Sequence, residues 1–348
     1  MPDDGALAAR TEALARWAGE RLGLGGPAPL EPASSDASFR RYLRVRRGGE
    51  SWIVMDAPPG LEDVRPFVRV ARLLRAAGLN VPEVLAEDSA RGFLLLTDLG
   101  ERLYLDALDE ASADRLYGDA LGALATLQAC VDPEALPPYD RALLAGELGL
   151  FREWFLGRHL GLVLSASEEA LLEGTFAMLV EAALAQPVVA VHRDYHSRNL
   201  LVTERHNPGI VDFQDAVAGP VTYDLVSLLR DCYIAWPRAR VEGWALGYLD
   251  LAVQSGILRE EDEERFLAWF DLMGVQRHLK ATGIFARLWH RDGKRGYLAD
   301  IPRTLGYVRE VAARHARLEP FGRWLEERVL PCLGNDGDRV TDGRARAR

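Results

Sequence analysis

Apolar residues recur at three-to-four spacing among charges over residues 6–22, where Leu7, Leu14, Trp17 and Leu22 predict an amphipathic helix. A Gly-Pro-rich break, Gly23–Pro32, ends it. Phe39–Val45 and Trp52–Met55 then read as strands, and Arg46-Arg47-Gly48-Gly49-Glu50 between them supports a hairpin turn. Helical spacing returns over Val64–Ala77 with Phe67, Val70, Ala71 and Leu74, and Gly78 closes that helix. Val81–Leu85 and Phe93–Leu96 form a further strand pair. From Leu103 to Ala185 the pattern is almost wholly helical, through Leu116–Leu127, Leu143–Phe155 and Leu171–Leu184. Pro187 stops it, and Val188–Val191, Leu200–Val202 and Gly209–Val211 are short strands before the chain turns helical again from Pro220 to about Leu333. The prediction is an α+β, bilobal chain: a small antiparallel-sheet lobe over residues 1–100, a large mainly helical lobe over 101–334, and a disordered tail over 335–348. No repeat of fixed period is present.

The chain has 348 residues, 48% apolar and 27% charged, the composition of a globular protein with a sizeable core. Its net charge of −10, with no basic tract before the terminal arginines, excludes a nucleic-acid backbone as main partner. Three widely spaced cysteines, Cys130, Cys232 and Cys332, build neither a disulfide framework nor a metal knuckle. Met1-Pro2-Asp3-Asp4 lacks the charge and apolar run of a signal peptide, and no long uncharged apolar stretch occurs. These features predict a cytoplasmic protein with no membrane attachment and no obligate protein partner. One count is more informative: Lys280 and Lys294 are the only lysines, against forty arginines. Neither stands in a Gly-Lys-Ser/Thr sequence, so a P-loop is absent.

The densest polar cluster is His192-Arg193-Asp194-Tyr195-His196-Ser197-Arg198-Asn199. His192 and His196 have the spacing of a helical zinc pair, but strand formers precede them and Arg193 stands where a zinc peptidase needs glutamate. The other reading is phosphoryl transfer, which needs a carboxylate near the attacking hydroxyl and oxygen ligands for magnesium on the nucleotide. Asp194, Asn199 and, after the turn Asn207-Pro208-Gly209, Asp212 in Ile210-Val211-Asp212-Phe213 supply those groups in that order.

This order resembles the catalytic and metal loops of the protein-kinase-like fold in its small-molecule branch, the aminoglycoside phosphotransferase and choline kinase group. Gly219-Pro220-Val221-Thr222-Tyr223-Asp224-Leu225 is similar to a segment that follows the metal loop in that branch. Ser34–Tyr42, Met55-Asp56-Ala57-Pro58-Pro59 and Gln276-Arg277-His278-Leu279-Lys280 resemble one subgroup, bacterial anomeric kinases of N-acetylmuramic acid and N-acetylglucosamine in cell-wall recycling. The resemblance implies ATP and Mg2+ as cofactors, a small-molecule amino sugar as substrate, Asp194 as base, and Asn199 and Asp212 as metal ligands. Asp215 either adds charge to the site or ends a turn. The main chain at Thr97 and Leu99 would meet the adenine edge.

Family kinases place a lysine on the third sheet strand and a glutamate on the next helix. Met55 and a position near Val68 stand there instead, so both partners are lost together. Arg40 or Arg41, with Ser35 and Ser38, would then meet the phosphates; adjacent strand positions face opposite ways, so one of the two arginines points inward. The basic run Arg277, His278 and Lys280 favours an anionic or neutral sugar, with surface decoration as the competing reading. Tyr195, Tyr233, Trp236 and Trp289 are stacking partners for a pyranose or core residues. The rival functions are a kinase of another hydroxyl compound, such as an aminoglycoside or choline-like amine, and a nucleotide-binding pseudokinase.

Overall fold

The computed structural model describes residues 4–35 and 39–333. In chain order the elements are α1 (Asp4–Arg21), β1 (Glu31–Ser35), β2 (Arg41–Arg47), β3 (Glu50–Asp56), α2 (Val64–Ala76), β4 (Val84–Asp88), β5 (Phe93–Thr97), α3 (Tyr104–Ala107) and α4 (Ala113–Cys130). There follow α5 (Arg141–Leu150), a π-helical stretch Phe151–His159, α6 (Ala166–Leu184), β6 (Val188–Val191), β7 (Leu200–Leu201), β8 (Gly209–Ile210) and β9 (Val217–Pro220). Next come α7 (Tyr223–Leu229), α8 (Arg238–Gln254), α9 (Glu263–Asp292) and α10 (Ile301–Ala312), with short helical segments to Leu333. The architecture is α+β. Two compact units divide it: the described residues up to Val131 with Ser197–Ala216, and Asp132–His196 with the described residues from Val217 on. The expected tail, 335–348, lies outside the described residues.

The first unit is built on a five-stranded antiparallel sheet of order β1-β2-β3-β5-β4. Period-two alternation sends Val54, Phe93 and Leu95 to one face, where they pack with Leu14, Trp17 and Ala18 of α1. Met55, Leu94 and Leu96 alternate with them and are equally buried, so both faces of the sheet's middle are covered. The β2–β3 hairpin is tighter than the sequence suggests. Arg47 pairs directly with Glu50, and Gly48 and Gly49 have φ of 57° and 88°, the left-handed pair of a two-residue turn. Both strands therefore run further than the apolar pattern indicates. The Gly-Pro break hides the edge strand β1, which tolerates Pro32 because one side of an edge strand has no ladder partner.

The second unit is helical apart from β6 and β9, which pair antiparallel from Val188↔Pro220 to Val191↔Val217. β9 is missed by a reading that begins the last helical region at Pro220. Helix α9 is the unit's axis: it runs thirty residues, and its buried face includes Phe270, Met273, Leu279 and Phe285. It lies so close to the end of α5 that a side chain on Gly283 would stand 2.4 Å from the Leu150 carbonyl carbon. No helix among the described residues is long and apolar enough to cross a membrane.

Because the obstacle at Gly283 is backbone, Gly283→Ala should lower unfolding free energy by about 2 kcal/mol, within the range for overpacking. Denaturant unfolding of the variant beside wild type measures this, and an unchanged midpoint would contradict the close approach.

Candidate active site

In the first unit β7 and β8 pair Leu200 with Ile210, and the Val211 N–H donates to the Asn199 carbonyl at 3.1 Å. This short ladder brings together two residues thirteen apart: Asn199 Nδ2 donates to Asp212 Oδ2 at 3.3 Å. Asp212 has φ of 63°, a conformation costing roughly 1–3 kcal/mol in a non-glycine residue. Next to it Phe213 is fully buried against Phe67 of α2, ring centroids 4.8 Å apart, and this packing holds the turn. Gln214 Nε2 bridges Asp212 Oδ1 and Asp215 Oδ2, each at 3.0 Å, while the enclosed Gln214 Oε1 has no partner among the described residues. Amide oxygens beside one or two carboxylates suit a hard cation such as magnesium, which completes its shell with phosphate and water.

The two adjacent arginines go to opposite places. Arg41 bonds Asp56 Oδ2 through Nε at 2.9 Å and Thr11 Oγ1 at 3.0 Å, and Arg10 grips the other oxygen of the fully buried Asp56. Arg40 instead brings Nη2 to 3.6 Å from Asp212 Oδ1. Met55 is wholly buried and Val68 nearly so, which makes the vacated lysine and glutamate positions apolar on both sides. Ser38 lies outside the described residues, and of Ser35 only the backbone is described, at the end of β1.

The segment after β5 is clamped from β2. Arg44 forks onto Asp98, with Nε at 2.6 Å and Nη2 at 3.1 Å, and also donates to the Gly100 carbonyl at 3.1 Å. Burial raises the Asp98 carboxyl, but Arg44 and the Gly100 N–H reverse this and hold it below the usual carboxylate range. The Thr97 N–H is already donated to the Glu83 carbonyl at 3.0 Å and its hydroxyl accepts from Glu83, so that N–H is not presented to a base. Leu99 is half-buried, with its side chain against Gly209.

In the second unit the catalytic-loop sequence leaves β6 through Arg193, whose φ is 77°. Two carboxylates brace that turn. Asp224, wholly buried at the start of α7, accepts the N–H groups of His192 at 2.6 Å and Arg193 at 2.9 Å. Glu147 of α5 receives Arg193 Nη2 at 2.5 Å, Lys280 Nζ at 2.9 Å and the Tyr139 hydroxyl. Lys280 also donates to the Tyr223 hydroxyl at 2.8 Å. Asp194 is half-buried; burial raises its carboxyl, and Lys280, Arg277 and Arg193 together bring it below the ordinary carboxylate range. His196 packs edge-on against Tyr233 and is neutral, since burial takes it down to about 4.

The basic run on α9 is therefore interior, not decoration. His278 is buried, bonds the Arg230 carbonyl at 2.8 Å and stacks on Tyr307, and burial lowers its pKa to about 3. It is a neutral core residue, contrary to the expectation that it meets the sugar. Arg277 is 5% exposed, with Nη1 3.6 Å from Cys232 Sγ. Of the stacking candidates, Tyr195 is fully buried, its ring edge-on to His192. Trp236 packs on Trp244 with Arg240 over both rings, and Arg295 lies over Trp289. Sequence reading missed three braces: Arg44, Glu147 and the role of Asp224. Glu147 leaves one signal, a lone carboxylate at helical spacing between Leu144 and Leu148 on the buried face of α5.

Residues 29–270 match the phosphotransferase enzyme family. The chain belongs to that family. A family relative from Pseudomonas aeruginosa named N-acetylmuramate/N-acetylglucosamine kinase is 51% identical over 299 residues, 86% of this chain and 88% of its own. A protein of the same name from Neisseria meningitidis serogroup B is 44% identical over 302 residues, 85% and 90% of the two chains. Among solved structures, the Plasmodium vivax ethanolamine kinase shares the kinase-like fold with a TM-score of 0.58 at 10% identity, over 80% of this chain and 81% of that one.

Burial pushes the Asp224 carboxyl up to about 6, so below that pH it takes a proton and its grip on the two N–H groups weakens. The phosphoryl-transfer rate should show an acid limb near pH 6, which Asp224→Asn removes while lowering kcat about 100-fold and leaving nucleotide KM near the wild-type value. Stability has the opposite sign: the folded chain keeps this proton up to about pH 6, whereas the unfolded chain releases it near 4, so the contribution of Asp224 falls as pH rises across that window. Rate and unfolding profiles of both proteins test the pair of statements.

Proposed function

We propose that this phosphotransferase transfers the γ-phosphoryl group of ATP to the anomeric hydroxyl of N-acetylmuramic acid and N-acetylglucosamine, giving the α-1-phosphate within cell-wall recycling. The observation that carries this reading is the likeness, over most of both chains, to the kinases named for those two sugars. The geometry supports it group by group. Asp194, kept ionised by the surrounding cations, orients the hydroxyl and takes its proton as oxygen bonds to phosphorus. The bond from phosphorus to the bridging oxygen breaks and ADP leaves. A hemiacetal hydroxyl is more acidic than an ordinary alcohol, so a carboxylate of low pKa suffices and positioning dominates the barrier.

Asn199 and Asp212 would hold magnesium, with Gln214 Oε1 as a further oxygen within the same loop. When bound, the metal neutralises phosphate charge. Arg40 does the work of the absent phosphate lysine: its guanidinium faces the metal-binding carboxylate, and a fork of two N–H groups matches two phosphate oxygens. Arg41 has a structural task on Asp56. The Leu99 main chain meets the adenine edge, at a hinge fixed by Arg44 and Asp98.

Phosphorus NMR after incubation with magnesium ATP and each sugar should show the α-1-phosphate. A 6-phosphate, or no product with either sugar, overturns the reading. Asp194→Asn should lower kcat by about 1,000-fold. Arg40→Ala should lower kcat/KM for ATP by about 100-fold. Arg41→Ala should lower the melting temperature and spare ATP use, and the reverse order of effects between the two arginines would overturn their assignment.

A further inference from the structure

The cations around Asp194 are not equivalent. Arg193 and Lys280 share Glu147, and Lys280 has the Tyr223 hydroxyl as well. Arg230, farther along, forks onto Glu310. Arg277 has no such partner: among the described residues its guanidinium makes one hydrogen bond, to the Cys232 thiol, and its enclosed Nε makes none. Asp194 and Asp231 act on its charge at longer range, but no carboxylate among the described residues pairs with it directly, and a guanidinium that stays charged when buried is costly without a hydrogen-bonded counter-ion. A second enclosed nitrogen without a partner among the described residues, His196 Nδ1, belongs to the same unit and lies within the electrostatic reach of Arg277. Arg277 also acts on the Asp194 carboxyl and His196 follows Asp194 by two residues, so they stand on the acceptor side of the chemistry.

The two sugars of the proposed reaction differ at one group. N-acetylmuramic acid carries a lactyl carboxylate where N-acetylglucosamine has a hydroxyl. We infer that Arg277 is the specificity residue that takes this carboxylate, its planar fork meeting the two oxygens, with the neutral His196 as a supporting hydrogen-bond partner. The inference rests on the function proposed above. The competing ligand, the phosphoryl group in transfer, is common to both sugars, and the groups assigned to the phosphates, Arg40, Asn199 and Asp212, belong to the other unit.

Steady-state kinetics of wild type, Arg277→Met and Arg277→Lys with both sugars test it, with thermal melting to establish that each variant is folded. In Arg277→Met the ratio of kcat/KM for N-acetylmuramic acid to that for N-acetylglucosamine should fall about 100-fold, mainly through KM for the acid sugar, because the loss strikes only the substrate whose charge was matched. Arg277→Lys keeps the charge without the fork and should lose about tenfold in that ratio. An equal loss with both sugars overturns the inference in favour of the phosphoryl group or a purely structural role, and an unchanged ratio overturns it outright. If the Met variant does not fold, the Lys variant decides by the same ratio. Wild type that phosphorylates neither sugar refutes the functional reading instead. Calorimetric binding of N-acetylmuramic acid to wild type and variant then still decides the anion site, with binding lost in the variant supporting it and no binding to wild type overturning it.

Discussion

The strained turn at Arg193 depends on two buried carboxylates. A non-glycine residue at φ of 77° persists only where its surroundings over-determine it. Here Asp224 holds the backbone on one side through two N–H bonds, and Glu147 holds the side chain on the other through Arg193 Nη2. The brace is itself buried, so each charge must be answered. Glu147 has two cations and a tyrosine hydroxyl, while burial raises the Asp224 carboxyl by more than the His192 ring and the two backbone N–H groups lower it. The turn delivers Asp194, one residue later, with a direction fixed by contacts that do not touch its carboxylate. Lys280, Arg277 and Arg193 outweigh the effect of burial and keep that carboxyl ionised.

The scarcity of lysine acquires a structural meaning from the same accounting of charge. A lysine on β3 paired with a glutamate on α2 is an interior ion pair, and losing one partner alone leaves a buried charge. Met55 and Val68 show both losses together, each buried among apolar neighbours. A cation still stands beside Asp212, but it is Arg40, immediately before β2, instead of a residue of the sheet. The arginine also resists losing its charge on burial more than a lysine does. The one buried lysine, Lys280, keeps its charge because Tyr223 and Glu147 outweigh the effect of burial.

What could be read from the sequence follows from where the information resides. Helix α2, the β2–β3 hairpin and β6 are written in local periodicity and turn residues, and the meeting of Asn199 with Asp212 in the two short apolar runs and the turn between them. β1 and β9 were hidden because their partners lie elsewhere in the chain: β1 carries Pro32 and two serines, and β9 is four residues of mixed character that become a strand only through β6. The different partners of Arg40 and Arg41 were beyond local reading, since alternation says that two neighbours diverge but not where each goes; Arg41 bonds Asp56 and Arg40 approaches Asp212. The face that the α9 basic run presents was left open for a related reason. Charges at helical spacing ordinarily mark a solvated face, and only the positions of Glu147, Cys232 and the Arg230 carbonyl show that Arg277, His278 and Lys280 point inward.

The division of the chain separates two tasks that sequence places side by side. Asp194 and Asn199 are five residues apart, yet the boundary between the compact units passes between His196 and Ser197. Asp194 is held by the packing of β6, α5, α7 and α9, whereas Asn199 is held by the β7–β8 ladder, with Phe213 seated on α2. On the proposed function, a defect in the Asp224 or Glu147 brace would act on the orientation of the acceptor and the transfer of its proton. A defect in the Phe67–Phe213 contact or the Arg44–Asp98 clamp would act on nucleotide and metal. The residues proposed for each substrate fall on the same side of that boundary as the braces that hold them, so that reading gives kcat and nucleotide affinity separable structural origins.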